Sequence, residues 1–519
     1  MEQNRSQGLE VIPHPPFASQ LSLEEELAAF ERLKPRLARV WDLLVADSSA
    51  ACTTVVVPSL TLDEGGLRRL EGASFYEERL LYLLIRLRNP RAHVVYVTSQ
   101  PVHPMIVDYV LQLLTGVPSS HARSRLTMLS AHDASPRPLT QKVLERPRLI
   151  ERIRCAIKDA GSAYLSVFNA TPLERRLAVL LGIPLNGVDP ELAWLGTKSA
   201  GRKVFREAEI PLPEGFEDLR DEVDLIKSLG ELRRRRPGLR RAVLKHNSGF
   251  SGEGNAIITY PPSRDQNALV RELYRMRCVA PGETAEPFLE EFARQGGIVE
   301  EYVEGSEVRS PSAQLRCGPH GEVIPISTHD QILGGVEGQV YEGCRFPAAD
   351  DYRMDVQRAG QQVGEVLARR GVVSRFGVDF VVARDGPADA WRTLALEINL
   401  RLGGTTHPFL ALRLLTGGEL DETTGQYLSA SGRAKFYRST DSLQSPRYRG
   451  LLPEDLVEIV TINRLGFDQP RESGVLFHLI GAVSQYGKVG LMAVGNSHAE
   501  ADELYERTLA VLEEETKYG

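Results

Sequence analysis

The sequence predicts a multidomain chain combining the α/β and α+β classes, on three observations. Its 519 residues exceed what one core of ordinary domain size encloses. From Thr53 to about residue 185, short apolar runs alternate with helical periods, as in βα units around a parallel sheet. Beyond about residue 194 the pattern changes to strand pairs joined by glycine-rich or polar turns, with helices between them. The expected division is a leader and helix over 1–50, a Rossmann-like domain over 51–190, a larger domain over 191–415 and a small α+β domain over 416–519.

Taken in order, a polar leader precedes an amphipathic helix, LSLEEELAAFERLKPRLARVWDLL. TTVVVP (53–58), AHVVYVTSQP (92–101) and AYLSVF (163–168) read as strands. FYEERLLYLLIRLR (75–88) and MIVDYVLQLL (105–114) read as helices, the second with Pro104 near its first turn. No G-x-G-x-x-G follows these strands, so the Rossmann-like shape is expected without a dinucleotide. TSQPVHP stands at a strand's C-terminal end, where such sheets bind ligands, and reads equally well as a proline-rich loop.

The second pattern opens with a helix, TKSAGRKVFREAE, followed by RRAVLKHNSGFSGEGNAIITYPP, a strand, glycine-rich turn and strand. GGIVEEYVEGSEVRSPSAQL (296–315) is a strand, a polar connection and another strand. Val356, Ala359, Val363, Val366 and Leu367 keep helical spacing over 351–370, with Gly371 as the C-cap. A hairpin follows in FGVDFVVARDGPADAWRTLALEIN. After residue 416 come a polar segment, the strands GVLFHLIGAVS and GKVGLMAVG, and a helix begun by Ser497 with Glu500 three residues on.

Composition excludes several function classes. With 42% apolar residues, 25% charged residues and a net charge of −7, no global basic field argues for nucleic acid. Arg233 to Arg236 form a basic run, but on a helix ending at Pro237, where a solvated face is the expected reading. No apolar run approaches the ~18 to 20 residues of a membrane span, and the opening MEQNRSQGLEVIPHPP lacks the order of a signal peptide. A cytoplasmic setting is expected. The five cysteines, at 52, 155, 278, 317 and 344, are scattered without CxxC, which predicts reduced thiols rather than a zinc site or disulfides.

The chemistry concentrates in LALEINLRLGGTTHPF, Leu394 to Phe409. Read as a strand, it puts Leu394, Leu396, Ile398 and Leu400 on one face and Glu397, Asn399 and Arg401 on the other. If the hairpin turns near Ala388, Asp379 lies opposite Glu397, and with Asn399 they form one oxygen-rich cluster. Like charges so placed repel, and two buried carboxylates do not both ionise cheaply without a cation between them. Mg²⁺ is the economical explanation, since it binds through one or two carboxylates plus substrate phosphates. The alternative is a solvent-facing polar side of the hairpin. A phosphate cradle is offered by NSGFSGEGN (247–255), whose Ser248, Gly249, Phe250, Ser251, Gly252 and Gly254 follow Lys245; a plain turn is the alternative.

The order of these elements resembles the ATP-grasp superfamily: a lysine at a helix start, a lysine before a glycine-rich hairpin, Glu-Glu before a short connection, then Asp…Glu-x-Asn on a hairpin. The resemblance implies a two-lobed ATP-grasp domain over 191–415 with ATP between the lobes. Lys198 and Lys245 look like the phosphate and adenine-side lysines, Glu300, Glu301, Tyr302 and Val303 like the adenine hinge, and Glu307 like the ribose carboxylate. Asp379, Glu397 and Asn399 look like ligands of Mg²⁺, with Mn²⁺ as an alternative.

From about residue 51 the chain further resembles the peptide-ligase family that includes the ligase of pheganomycin biosynthesis, on VVVPSL, YEERLL, VVYVTSQPVHPMIVDY, ASPRPLTQKVLERPRLIERIR, GTKSAGRKVFREA, GFSGEGNA and GVLFHLIGAVSQYGKVGLMAVG. That resemblance makes the region before 191 a pre-ATP-grasp domain and the tail a family-specific C-terminal domain. Two departures keep residues in competition. Thr197 stands where many such ligases have an acidic residue, so Lys203 rivals Lys198; Gly377 stands where many have an arginine, so the stabilising arginine is Arg375, Arg401 or Arg345. His246, His329 and His407 lie near the motifs and are candidate acid or base groups, with a structural or hydrogen-bonding role the favoured reading for each; His407, after GGTT, is the first of the three to test.

The implied activity is an ATP-dependent carboxylate–amine ligase working through an acylphosphate and releasing ADP and phosphate. Its partners would be a small-molecule carboxylic acid and an amine or peptide, with neither nucleic acid nor membrane involved and a homodimer left open. A small-molecule kinase and a catalytically silent nucleotide-binding regulator are the alternatives.

Overall fold

The computed structural model describes residues 21–62, 64–249, 254–263, 265–280, 282–335 and 338–517. The first helix, Leu23–Ala46, starts at a capping box in which Ser22 and Glu25 each satisfy the other's backbone N–H. Phe30 and Leu33 on its inner face join the core beneath the first sheet. Strands β1 (Cys52–Val57), β2 (Ala92–Thr98), β3 (Leu126–Ser130), β4 (Ala163–Val167) and β5 (Leu185–Asn186) form that sheet, all parallel, in the order β3-β2-β1-β4-β5. β1 and β4 are buried along their whole length, which is why they read as continuous apolar runs rather than alternating ones.

Two expected helices take the form of their sequence signals to different degrees. Pro104 is the first residue of the helix Pro104–Gln112, where its missing N–H costs nothing. Residues Ala73–Arg88 instead wind as consecutive 3₁₀ turns, with every side chain from Tyr76 to Tyr82 buried.

A second, antiparallel sheet follows in the order β6-β10-β7-β8-β9, from β6 (Gly215–Leu219), β7 (Arg241–His246), β8 (Asn255–Thr259), β9 (Arg277–Cys278) and β10 (Gly297–Glu301). The third sheet has nine strands. β11 (Glu307–Arg309), β12 (Pro311–Cys317), β13 (Val323–Gly334), β14 (Val340–Phe346), β15 (Ser374–Arg384) and β16 (Arg392–Asn399) make its first part. A small hairpin, β17 (Glu419–Asp421) with β18 (Gln426–Leu428), stands apart, and β19 (Phe436–Gln444), β20 (Gly474–His478) and β21 (Lys488–Gly495) complete the large sheet through the β14–β19 pairing. Strands β19, β20 and β21 therefore extend a sheet begun at residue 307.

One apolar core ties the ends of the chain together. Leu80, Leu84 and Tyr96 pack in the same cluster as Phe409, Leu412, Phe477 and Leu491. The last helix, His498–Glu515, begins where the spacing predicts, with Ser497 accepting from the Glu500 N–H; the Glu500 carboxylate reaches back to the Asn496 N–H. No helix among the described residues is long and apolar enough to cross a membrane. Arg234 and Arg235 are spent on Glu231 and Arg236 on Glu301, so the basic run is an ion-paired helix face.

Candidate active site

A cavity of about 1610 Å³ opens between the second and third sheets and is closed on one side by residues of the first domain, among them Tyr76, Arg79 and Phe168. Its floor is the β15–β16 hairpin. The register puts Asp379 opposite Glu397 and Gly377 opposite Asn399, so all three polar side chains share the cavity wall. The pairing shifts between Asp379 and Phe380, leaving Leu396 as the extra residue of a bulge. This corrects the simple alternation read from the sequence. After the bulge Ile398 and Leu400 point to the core as expected, but before it Ala395 does, while Leu396 lines the cavity beside Glu397.

Lys198 is the first residue of the helix Lys198–Glu207, and Thr197 caps that helix by accepting from the Ala200 N–H. The Asn247 carbonyl accepts from the Lys198 N–H at 3.1 Å and its side-chain oxygen from the Ser199 N–H at 3.0 Å, which fixes the helix start against the glycine-rich segment. The Lys198 ammonium is buried 2.5 Å from Glu397 Oε1. Burial pushes the Glu397 carboxyl up, but Lys198 and then Arg401 outweigh it, and the group lies below its ordinary value. Asp379 has the opposite balance. Burial and the charge of Glu397 raise it to about 6, and its oxygens accept from neutral amides, Gln331 Nε2 at 2.6 Å and Asn399 Nδ2 at 2.8 Å.

That donor set suits a hard cation: two carboxylates and an amide oxygen, one carboxylate not yet neutralised by its own ammonium. Among the described residues no group of three His, Cys, Asp or Glu side chains forms a self-sufficient metal cage. A divalent ion held here would draw its remaining ligands from phosphate oxygens and water.

Lys245, on β7, is also buried, and its ammonium pairs with Glu300 on β10, which also accepts from Arg202 at 3.1 Å. Glu300, Glu301, Tyr302 and Val303 line the cavity in succession. The Glu301 and Tyr302 N–H groups donate to the carbonyls of Glu214 and Arg241, whereas no protein group among the described residues accepts from Val303 N–H. The Arg241 guanidinium covers the Tyr302 ring at 3.9 Å. Of the glycine-rich segment, Ser248, Gly249 and Gly254 line the cavity, while Phe250, Ser251 and Gly252 lie outside the described residues. Gly254 has φ +82°, and a Cβ there would stand 3.0 Å from His246 Nδ1, so the turn back into β8 takes glycine for two reasons.

Of the three candidate arginines, Arg401 and Arg375 line the cavity and Arg345 does not. Arg401 is pulled down by burial and held up by Glu397 and Asp379. Arg345 lies on β14 with its Nε 3.1 Å from Asp502 of the last helix, which ties it to the C-terminal strands instead. Three further candidates, Lys203, Glu307 and His407, are not among the residues that line the cavity. The Lys203 ammonium sits on the outer face of its helix, half-exposed and 2.6 Å from Asp218, so of the two lysines on that helix it is Lys198 that lines the cavity. Glu307 is held in a two-pronged pair by Arg384, both contacts at 3.0 Å, away from the cavity wall.

His407 turns inward to meet His478, Nε2 to Nε2 at 2.9 Å, and burial drives it well below its ordinary value. A neutral buried imidazole with no access to the cavity is not placed to shuttle protons there. His329 is equally enclosed, bonded to the Tyr437 hydroxyl at 2.6 Å, and His246 lines the cavity but stacks on Phe288 and bonds its carbonyl.

Sequence reasoning missed Arg79. Its guanidinium is buried at the cavity edge, 3.0 Å from Asp441 of β19 and stacked between Tyr76 and Phe168. The signal was present in YEERLL, where a charged triplet interrupts an otherwise largely apolar helical period. Gln331, which holds Asp379, has no comparable signal.

A family model described as "IQCH-like, ATP-grasp" matches residues 190–277 and 280–423, and one described as "PGM1 C-terminal domain" matches 455–508. The L-propargylglycine–L-glutamate ligase of Streptantibioticus cattleyicolor is 31% identical over 457 residues, spanning 87% of this chain and 92% of that protein. The IQ motif-containing protein H of Danio rerio is 24% identical over 455 residues, spanning 78% of this chain and 42% of its own. Among solved structures, the biotin carboxylase domain of the Hydrogenobacter thermophilus 2-oxoglutarate carboxylase superposes with a TM-score of 0.52 over 89% of each chain at 14% identity. The Campylobacter jejuni biotin carboxylase gives 0.50 over 88% of this chain and 90% of its own at 13% identity, and both likenesses concern the fold. With a cavity floored by opposed carboxylates and flanked by buried lysines, and with a relative matched along nearly its full length, the chain belongs to the ATP-grasp ligase family that contains the L-propargylglycine–L-glutamate ligase.

Proposed function

We propose that this chain joins a small-molecule carboxylate to an amine through an acylphosphate, and that both substrates are amino acids or short peptides. The observation that carries the reading is the Asp379–Glu397 pair facing Lys198 and Arg401 in a cavity of about 1610 Å³, roomy enough for a nucleotide and two small substrates together. The relative's two amino-acid substrates, given in its name, support the substrate class.

Lys198 and Lys245 would neutralise phosphate oxygens, the N–H groups around Ser248, Gly249 and Gly254 would hold the terminal phosphates, and the unspent Val303 N–H would bind the base. Asp379, Glu397 and Asn399 would hold Mg²⁺, which lowers the charge repulsion met by an anionic nucleophile at the γ-phosphate. Arg401 would orient the attacking carboxylate, its planar fork matching either carboxylate or phosphate. One carboxylate oxygen bonds to the γ-phosphorus as the bond to ADP breaks; the amine nitrogen then bonds to the carbonyl carbon, loses a proton, and phosphate leaves. The chain's contribution is positioning and charge neutralisation, with water kept from the acylphosphate.

The test is ADP release with Mg-ATP and pooled amino acids and dipeptides, with the product mass read alongside. Stimulated release and a product equal to acid plus amine minus water support the ligase. A phosphorylated small molecule assigns a kinase instead, and nucleotide binding without turnover in every pool removes the reaction assigned here.

A further inference from the structure

Arg375 on β15 and Arg316 on β12 stand directly opposite each other in the sheet register. Like charges in that relation repel, and drawing them from water adds to the cost. Arg316 is 8% exposed; its Nη2 donates to Asn186 Oδ1 at 2.8 Å and its guanidinium lies 4.4 Å above the Trp41 ring, but its Nε has no partner among the described residues. The enclosed Nη1 of Arg375 has none either. Burial first, and neighbouring arginines after it, lower Arg375 to about 9 and Arg316 to about 10.

Both residues line a second cavity, of about 400 Å³, between the first helix and β13. Arg86 and Arg413 stand at its exposed mouth, and its apolar wall is built by Leu37, Val40 and Trp41. The carboxylates that line it, Glu419 and Glu422, are exposed at the rim and pair with none of the four arginines among the described residues. Positive charge thus collects at the closed end, beside an apolar wall.

We propose that this cavity is a second ligand site, for an organic monoanion with an apolar body, its carboxylate or sulfonate seated between Arg316 and Arg375 and its body against Trp41. The ligand's anion offsets the repulsion that the register imposes on the two guanidinium charges. Because Arg375 also lines the large cavity, occupancy here reaches the wall of the nucleotide site.

The test uses the full chain and 8-anilinonaphthalene-1-sulfonate, an apolar anion whose fluorescence rises on binding. The expected result is one saturable site that persists under saturating Mg-ADP, is displaced by hexanoate, and weakens about tenfold in Arg316→Gln, as loss of a charge-assisted bond predicts. Trp41→Ala and Arg413→Gln should weaken it as well. Circular dichroism checks each variant; should Arg316→Gln fail to fold, the other two decide. Displacement of the probe by Mg-ADP, or unchanged affinity in all folded variants, overturns the proposal.

Discussion

Asp379 and Glu397 face each other across the β15–β16 pair, yet Lys198 sits against Glu397, 2.5 Å away, while Asp379 is held by the amides of Gln331 and Asn399. The Asp379 carboxyl, raised to about 6 by burial and by Glu397, binds its proton more tightly in the folded chain than in the unfolded one. Folded stability without ligand should therefore fall as pH rises from about 4 to 6 and stay reduced above that. Asp379→Asn should raise the urea midpoint at pH 8 while lowering ligase turnover by two orders of magnitude or more, on the order of a lost transition-state charge contact. Saturating Mg-ADP should stabilise the parent more than the variant. A variant no more stable than the parent at pH 8 would show that the aspartate is already neutralised.

Glu300 is shared between the Lys245 ammonium and Arg202. In Lys245→Met the carboxylate keeps one cation, so the second sheet should survive, whereas the nucleotide loses a direct charge contact worth about tenfold or more in affinity. Titration calorimetry with Mg-ADP measures it. Arg202→Met, which strips the other cation, should cost stability rather than affinity, on the order of the several kcal/mol that breaking a buried pair costs. The reverse outcome would reassign the two residues.

Much of this arrangement is written in local pattern. The hairpin centre near Ala388 follows from where two apolar runs flank one polar turn, and it fixes which residue opposes Asp379. The bulge at Leu396 is not legible, because a one-residue register shift leaves the same composition on each side. Lys203 and Lys198 are indistinguishable as sequence, and five residues along a helix carry a side chain round by about 140°, so only the docked orientation of that helix separates them. Arg345, Glu307 and His407 fall outside the cavity because their partners, Asp502, Arg384 and His478, come from segments 71 to 157 residues away. No window of sequence encodes those pairs.

His407 tests that distinction by kinetics. It bonds His478 in a closed interior, and both rings are held neutral by burial. His407→Gln should keep the shape of the kcat against pH profile and lower stability by about 1 to 3 kcal/mol, the cost of disturbing one buried polar contact. A lost limb in the profile would restore the imidazole to the reaction.

Glu78 joins the first domain to the C-terminal strands, its carboxylate accepting from the Gly481 N–H at 3.1 Å. It is buried, and burial first, then the charge of neighbouring Glu77, raise it to about 8. The folded chain thus holds a proton that the unfolded chain releases near pH 4.5, and stability should decline as pH rises from about 5 to 8. Glu78→Gln keeps an acceptor for Gly481 and removes the titration. Its urea midpoint should match the parent's near pH 5 and exceed it at pH 8, with a shallower slope between. A variant less stable than the parent at pH 8 would mean that Glu78 is ionised in the folded chain and held by a cation, and the contact between the two ends of the chain would then depend on charge rather than on a shared proton.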